Sequence, residues 1–169
     1  MRFRAVAVAA LAVAGAYAHA GISAKTQAAF DSCKRLVGGV WRGTVGEKLP
    51  VELRFTLSPD GNVITGTGLV GDPTKPVLRI ESIVGLDAVT DSVYYLDRHN
   101  TDTVYFGHVT LEGEKLKFDF TSLVGGKGHW IATEWLPTAD TFRSSMLSVK
   151  EDGTTVEEPV HLSLSHVEK

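Results

Sequence analysis

The chain has 169 residues, with 17 basic against 20 acidic side chains and a formal charge of −3. That length is consistent with one ordinary domain. The acidic balance argues against nucleic acid or an anionic lipid surface as a partner, because binding to phosphates needs clustered Lys and Arg.

Residues 1–20 read as a secretory signal. Arg2 and Arg4 form a positive start, and Ala5 to Ala14 form an uncharged apolar run. Ala16-Tyr17-Ala18 and Ala18-His19-Ala20 both place small residues where a signal peptidase reads them, so two cleavage sites stay open. The run is too short and wrongly flanked for a membrane span. The expected location is periplasmic or secreted, with residues 21–169 as a single β-barrel domain and no integral membrane segment after cleavage. Losing Arg2 and Arg4 leaves 15 basic against 20 acidic residues, or −5. A chain of that size buries roughly 70% of its unfolded surface, enough for a core without staples. Cys33 is the sole cysteine, which excludes an intramolecular disulfide. It falls at a helical position and reads as a small buried apolar residue.

Ser23 predicts an N-cap for a helix from about Ala24 to Val37, with Ala29, Phe30, Cys33, Leu36 and Val37 on one side and Gly38-Gly39 ending it. Its apolar face would lie across an open barrel end. Alternating segments follow: Val40–Gly46, Val51–Leu57, Val63–Val70, Val77–Leu86, Ser92–Arg98, Thr103–Glu112, Lys115–Ser122, His129–Leu136, Thr141–Val149 and Thr155–Val167. Turn residues such as Pro59-Asp60-Gly61-Asn62, Gly113-Glu114 and Asp152-Gly153 separate them. No connection holds a helix long enough for a parallel crossover. The expected fold is all-β, an up-and-down antiparallel barrel of about eight to ten strands with a short N-terminal helix. Gly66 and Gly68 mark a strand bent for closure.

Gly39-Val40-Trp41-Arg42-Gly43 opens the first strand directly after the helix. This resembles the Gly-x-Trp signature of the lipocalin-like (calycin) superfamily, and the chain from residue 21 on is similar to small exported bacterial lipocalin-like domains. The resemblance implies a closed barrel with an interior cavity and Trp41 packed at its closed base. A narrower similarity is to the nitrobindins, ten-stranded barrels that bind haem through a C-terminal histidine. Their opening strand reads Gly-x-Trp-x-Gly-x-Gly; Gly39, Trp41 and Gly43 match, and Val45 departs. On the last strand His161 shares a face with Ser163 and Ser165, whereas His166 is in phase with Leu162 and Leu164. Haem would need His161 inward or His166 deep enough to reach iron. The expectation is no cofactor and no metal, with haem as the alternative.

The expected function is binding of a small apolar or amphipathic molecule, with Trp41, Phe55, Phe106, Phe118, Phe120 and Trp135 lining the core or cavity. Arg79 and Arg143 would hold an anionic head group if their faces point inward. His108 alternates with Val104 and Phe106 and is a candidate interior group. The rival reading is an enzyme of the same fold using His108, Glu81 or Glu134 as acid or base. His99 reads as a solvated turn residue. Gly125-Gly126-Lys127-Gly128 lacks the Ser or Thr and the strand-to-helix context of a phosphate loop, and no zinc-ligand spacing occurs.

Overall fold

The structure is a computed structural model that describes residues 21–46 and 48–168, with the backbone alone for residue 168. Residues 1–20, where a secretory signal is expected from sequence, therefore lie outside the described residues.

Helix α1 spans Ala24–Lys34. The Ser23 hydroxyl accepts from the Thr26 N–H, as an N-cap should. The same two residues tie the helix start to the barrel: Ser23 N–H donates to Asp91 Oδ1 at 2.8 Å, and the Thr26 hydroxyl donates to the Asp91 carbonyl at 3.0 Å. The helix stops three residues before the expected Val37. Arg35, Leu36 and Val37 instead make tightened bonds to the carbonyls of Ser32, Cys33 and Lys34. Gly38 and Gly39 then turn the chain at φ +93° and +62°, values that disfavour any residue with a Cβ.

Ten strands follow: β1 (Val40–Val45), β2 (Leu49–Leu57), β3 (Val63–Asp72), β4 (Lys75–Asp87), β5 (Ser92–His99), β6 (Val104–Glu112), β7 (Lys115–Val124), β8 (His129–Thr138), β9 (Thr141–Val149) and β10 (Thr155–Glu168). Each pairs antiparallel with its sequence neighbours, and β10 returns to β1 to close the barrel. The expected all-β meander with one short helix is the observed fold. Closure leaves no free sheet edge.

Gly43 explains the second glycine of the opening motif. It sits opposite Leu164, and a Cβ there would collide with the Ser163 carbonyl oxygen. Only a residue without a side chain lets β10 lie this close to β1.

The apolar face of α1 meets the barrel along β4, β5, β6 and β7. Ala29, Phe30 and Cys33 are buried against Ile64, Val84 and Val93. The helix thereby plugs the end at which the β2–β3, β4–β5 and β6–β7 turns lie. A second buried group surrounds Trp41, with Leu36, Phe142 and Leu164. The Trp41 indole N–H donates to the Leu36 carbonyl at 2.9 Å, joining β1 to the turn that follows α1.

Candidate functional site

Eight strands make a barrel just wide enough for its side chains to fill, and width grows with strand number. Ten strands leave space here: an interior cavity of about 380 Å³, with Cys33 and Leu36 from the helix side forming part of its wall. Most of the wall is apolar, with Leu53, Phe55, Leu78, Ile80, Phe142 and Leu162 on β2, β4, β9 and β10.

The wall is polar along β5 and at Glu134 on β8. Inward positions on β5 run Val93, Tyr95, Asp97, His99, and only the first is apolar in the ordinary sense. Asp97 is 6% exposed. Its Oδ2 accepts from the Tyr95 hydroxyl at 2.8 Å and lies 3.2 Å from His99 Nε2. Its Oδ1 is buried without a hydrogen-bond partner among the described residues. Such an atom is costly to bury unless something occupies the space in front of it.

Glu134 faces the same cavity from β8. Burial, followed by the charge of Asp97, pushes its carboxyl up to about 8. At neutral pH it is therefore mostly the neutral acid. Burial and then Asp97 also hold the Tyr95 hydroxyl well above its ordinary range. Burial pushes the Cys33 thiol far up, with Glu134 adding to the effect, so Cys33 is an unreactive wall residue.

Aromatic rings floor the polar wall. Tyr95 meets Phe118 and Phe120 edge-on at 5.1 and 5.6 Å, and Tyr105 meets Trp130 at 5.4 Å and His99 at 5.0 Å. These edge-to-face pairs fix the rings around Asp97. Among the described residues that line the cavity, none is Lys or Arg.

Of the residues singled out from sequence, Phe55, Phe118, Phe120 and Glu134 lie on the cavity wall. Trp41 is buried beside the cavity, against Phe142 and His166. The others face outward, which corrects their expected inward phase. On β6 the inner face is Tyr105, Gly107 and Val109, so Phe106 and His108 meet edge-on outside, with ring centroids 5.6 Å apart. On β8 the inner face is Trp130, Ala132 and Glu134, and Trp135 lies outside under the Lys115 ammonium. On β9 Phe142, Ser144 and Met146 point in, which turns Arg143 out. On β4 Leu78, Ile80 and Ser82 point in, leaving Arg79 exposed and Glu81 in an outer pair with Arg98 at 3.9 Å. His99 is corrected in the opposite sense, from solvated turn residue to cavity wall. Tyr95, Asp97, Tyr105 and Trp130 were not anticipated; the available signal was that Asp97 keeps step with Val93 and Tyr95.

The C-terminal histidines divide as their phases require. His161 is exposed, 3.6 Å from Glu157. His166 Nε2–H donates to the Gly38 carbonyl at 3.0 Å, and its ring meets Trp41 edge-on at 4.8 Å. Among the described residues no group of three or more His, Cys, Asp or Glu is placed to hold a metal.

No protein-family model matches the chain, and no curated protein matches it.

Proposed function

We propose that this protein is an exported carrier that encloses a small amphipathic molecule inside its barrel. One observation carries the reading: a closed barrel with an unfilled interior of about 380 Å³, apolar on most sides and polar along one wall. Binding cavities of about 300–1,000 Å³ with a few convergent polar groups are the ordinary form of such a site. The outer face suits water, since Arg42, Arg54 and Glu52 form an exposed ion-pair cluster and Lys117 pairs with Glu112. A lipid-facing barrel surface would carry apolar residues there. The resemblance of Gly39-Val40-Trp41-Arg42-Gly43 to lipocalin-like barrels, and the secretory character of residues 1–20, agree with export and carriage.

Native mass spectrometry of protein isolated from its source tests this. A bound small-molecule mass that is lost on denaturation is expected. A barrel that is always empty would overturn it.

The haem-carrying alternative has less support. His161 is turned to solvent, and the Nε2 of His166 is occupied by the Gly38 carbonyl. Titration with haemin is expected to produce no sharp, shifted Soret band. A band abolished by His161→Ala or His166→Ala would replace the carrier reading with a nitrobindin-like one.

Glu134 favours a second reading, acid–base catalysis. A carboxyl near 8 beside a second carboxylate is the arrangement that separates proton donor from acceptor. Of the three groups named for this role, Glu134 alone faces the cavity. Recovery of the bound molecule unchanged after prolonged incubation supports carriage; steady conversion supports catalysis.

A further inference from the structure

We propose that the enclosed molecule is an amphipathic amine, with its ammonium nitrogen at the pair of cavity-wall carboxyls, Asp97 and Glu134, and its apolar body against the β2–β4 side. The inference rests on the carrier reading and adds the chemical class of the ligand.

Three observations converge on a cationic head group. Asp97 is more than nine-tenths buried, and both its neighbours, Tyr95 and His99, are bound to Oδ2. Oδ1 is left buried without a donor, on a side chain that lines the cavity. A protein that needed Asp97 only for packing would have satisfied both oxygens or replaced them with apolar atoms.

Second, the groups that raise Glu134 are burial and the negative charge of Asp97; no cation contributes. Two carboxyls line one desolvated space, and the Asp97 charge disfavours ionisation of Glu134. An ammonium at the pair removes that conflict, since its N–H donors can serve both acceptors.

Third, the wall contains neither Lys nor Arg among the described residues, and its one basic side chain, His99, is already turned to Asp97. A fatty acid or other carboxylate would bring a third acidic group to this wall with no cation to receive it. Tyr95, Tyr105 and Trp130 line the same cavity, and aromatic rings are compatible with a cationic group. Arg79 and Arg143, candidates to hold an anion if their faces pointed inward, both lie on the outer face.

The test uses a matched set of probes: octylamine, 1-octanol and octanoate, titrated calorimetrically into the protein at pH 7.5. Octylamine is expected to bind at least tenfold more tightly than 1-octanol, with octanoate weakest. Asp97→Asn should bring octylamine to within about twofold of 1-octanol while leaving 1-octanol binding unchanged. Glu134→Gln should weaken octylamine several-fold, and it carries the test if Asp97→Asn fails to fold by circular dichroism. Octanoate or 1-octanol binding as well as the amine would overturn the amine assignment and leave carriage intact. No binding by any of the three would count against carriage itself.

Discussion

Replacing Trp41 with alanine is expected to destabilise the protein by about 3–5 kcal/mol, the range for removing a fully buried large aromatic. Trp41 is 1% exposed. Its ring touches Phe142 and His166, at centroid separations of 6.1 and 4.8 Å. Its indole N–H satisfies the Leu36 carbonyl in the turn that ends α1. Alanine therefore leaves a cavity and an unpaired buried carbonyl together, and both fall at the junction of plug and barrel. Trp41→Phe keeps most of the packing and loses the hydrogen bond, so it should be milder, about 1–2 kcal/mol. Urea denaturation followed by circular dichroism measures both. A loss below 1 kcal/mol for Trp41→Ala would mean that the helix end and β1 are held by other contacts.

The fold was legible because turn chemistry and period-two alternation agree along the chain. Helix start, ten strands and a meander all follow from Ser23, the glycine and proline punctuation, and the lack of crossover helices. Boundaries were less so. The α1 turn ends early because its last three N–H groups bond one residue closer, a local choice that the apolar spacing of Leu36 and Val37 does not encode. Strand β4 starts at Lys75, before the expected Val77, because the short hairpin from β3 pairs to its tip at Asp72.

The site was legible only where the two faces of a strand differ in kind. On β2, Val51, Leu53 and Phe55 alternate with Glu52, Arg54 and Thr56, and the inward set is unambiguous. On β6 both faces are mixed. The outer face carries Val104 and Phe106, while the inner one is interrupted by Gly107, where a Cβ would strike the Asp119 carbonyl of β7. Counting apolar residues then selects the wrong face, and a slip of one position inverts every assignment. The same happens on β9, where inward Ser144 makes the true inner face look polar beside Leu147 and Val149. Where polar side chains stand on the cavity side, as Asp97 does on β5, Glu134 on β8 and Ser144 on β9, the inner alternation is broken and apolar counting loses its guide to the face.

Glu134→Gln is expected to remove a pH dependence of stability between about pH 4.5 and 8 in the ligand-free protein. The Glu134 carboxyl moves from an ordinary 4.5 to about 8 on folding. A group whose folded value is raised holds its proton more tightly in the folded state. Its contribution is complete below about 4.5 and is lost as the pH rises through about 8. At pH 7 the loss is at most about 3–4 kcal/mol, taking 1.36 kcal/mol for each pH unit above the unfolded value. Water inside the cavity would solvate part of the charge and reduce it. Glutamine keeps the shape and cannot ionise, so the variant should gain on the parent as the pH is raised from 5 to 8. Carboxylates held low by partners, such as Glu52 beside Arg42, lose their contribution only as the pH falls below the ordinary carboxylate range, outside this window. Groups that do not interact with Glu134 cancel in the difference. Urea midpoints for the two proteins at pH 5 and pH 8 measure it. Parallel pH profiles would show that the cavity solvates Glu134 as bulk water does, and would withdraw the desolvated carboxyl pair on which the amine site depends.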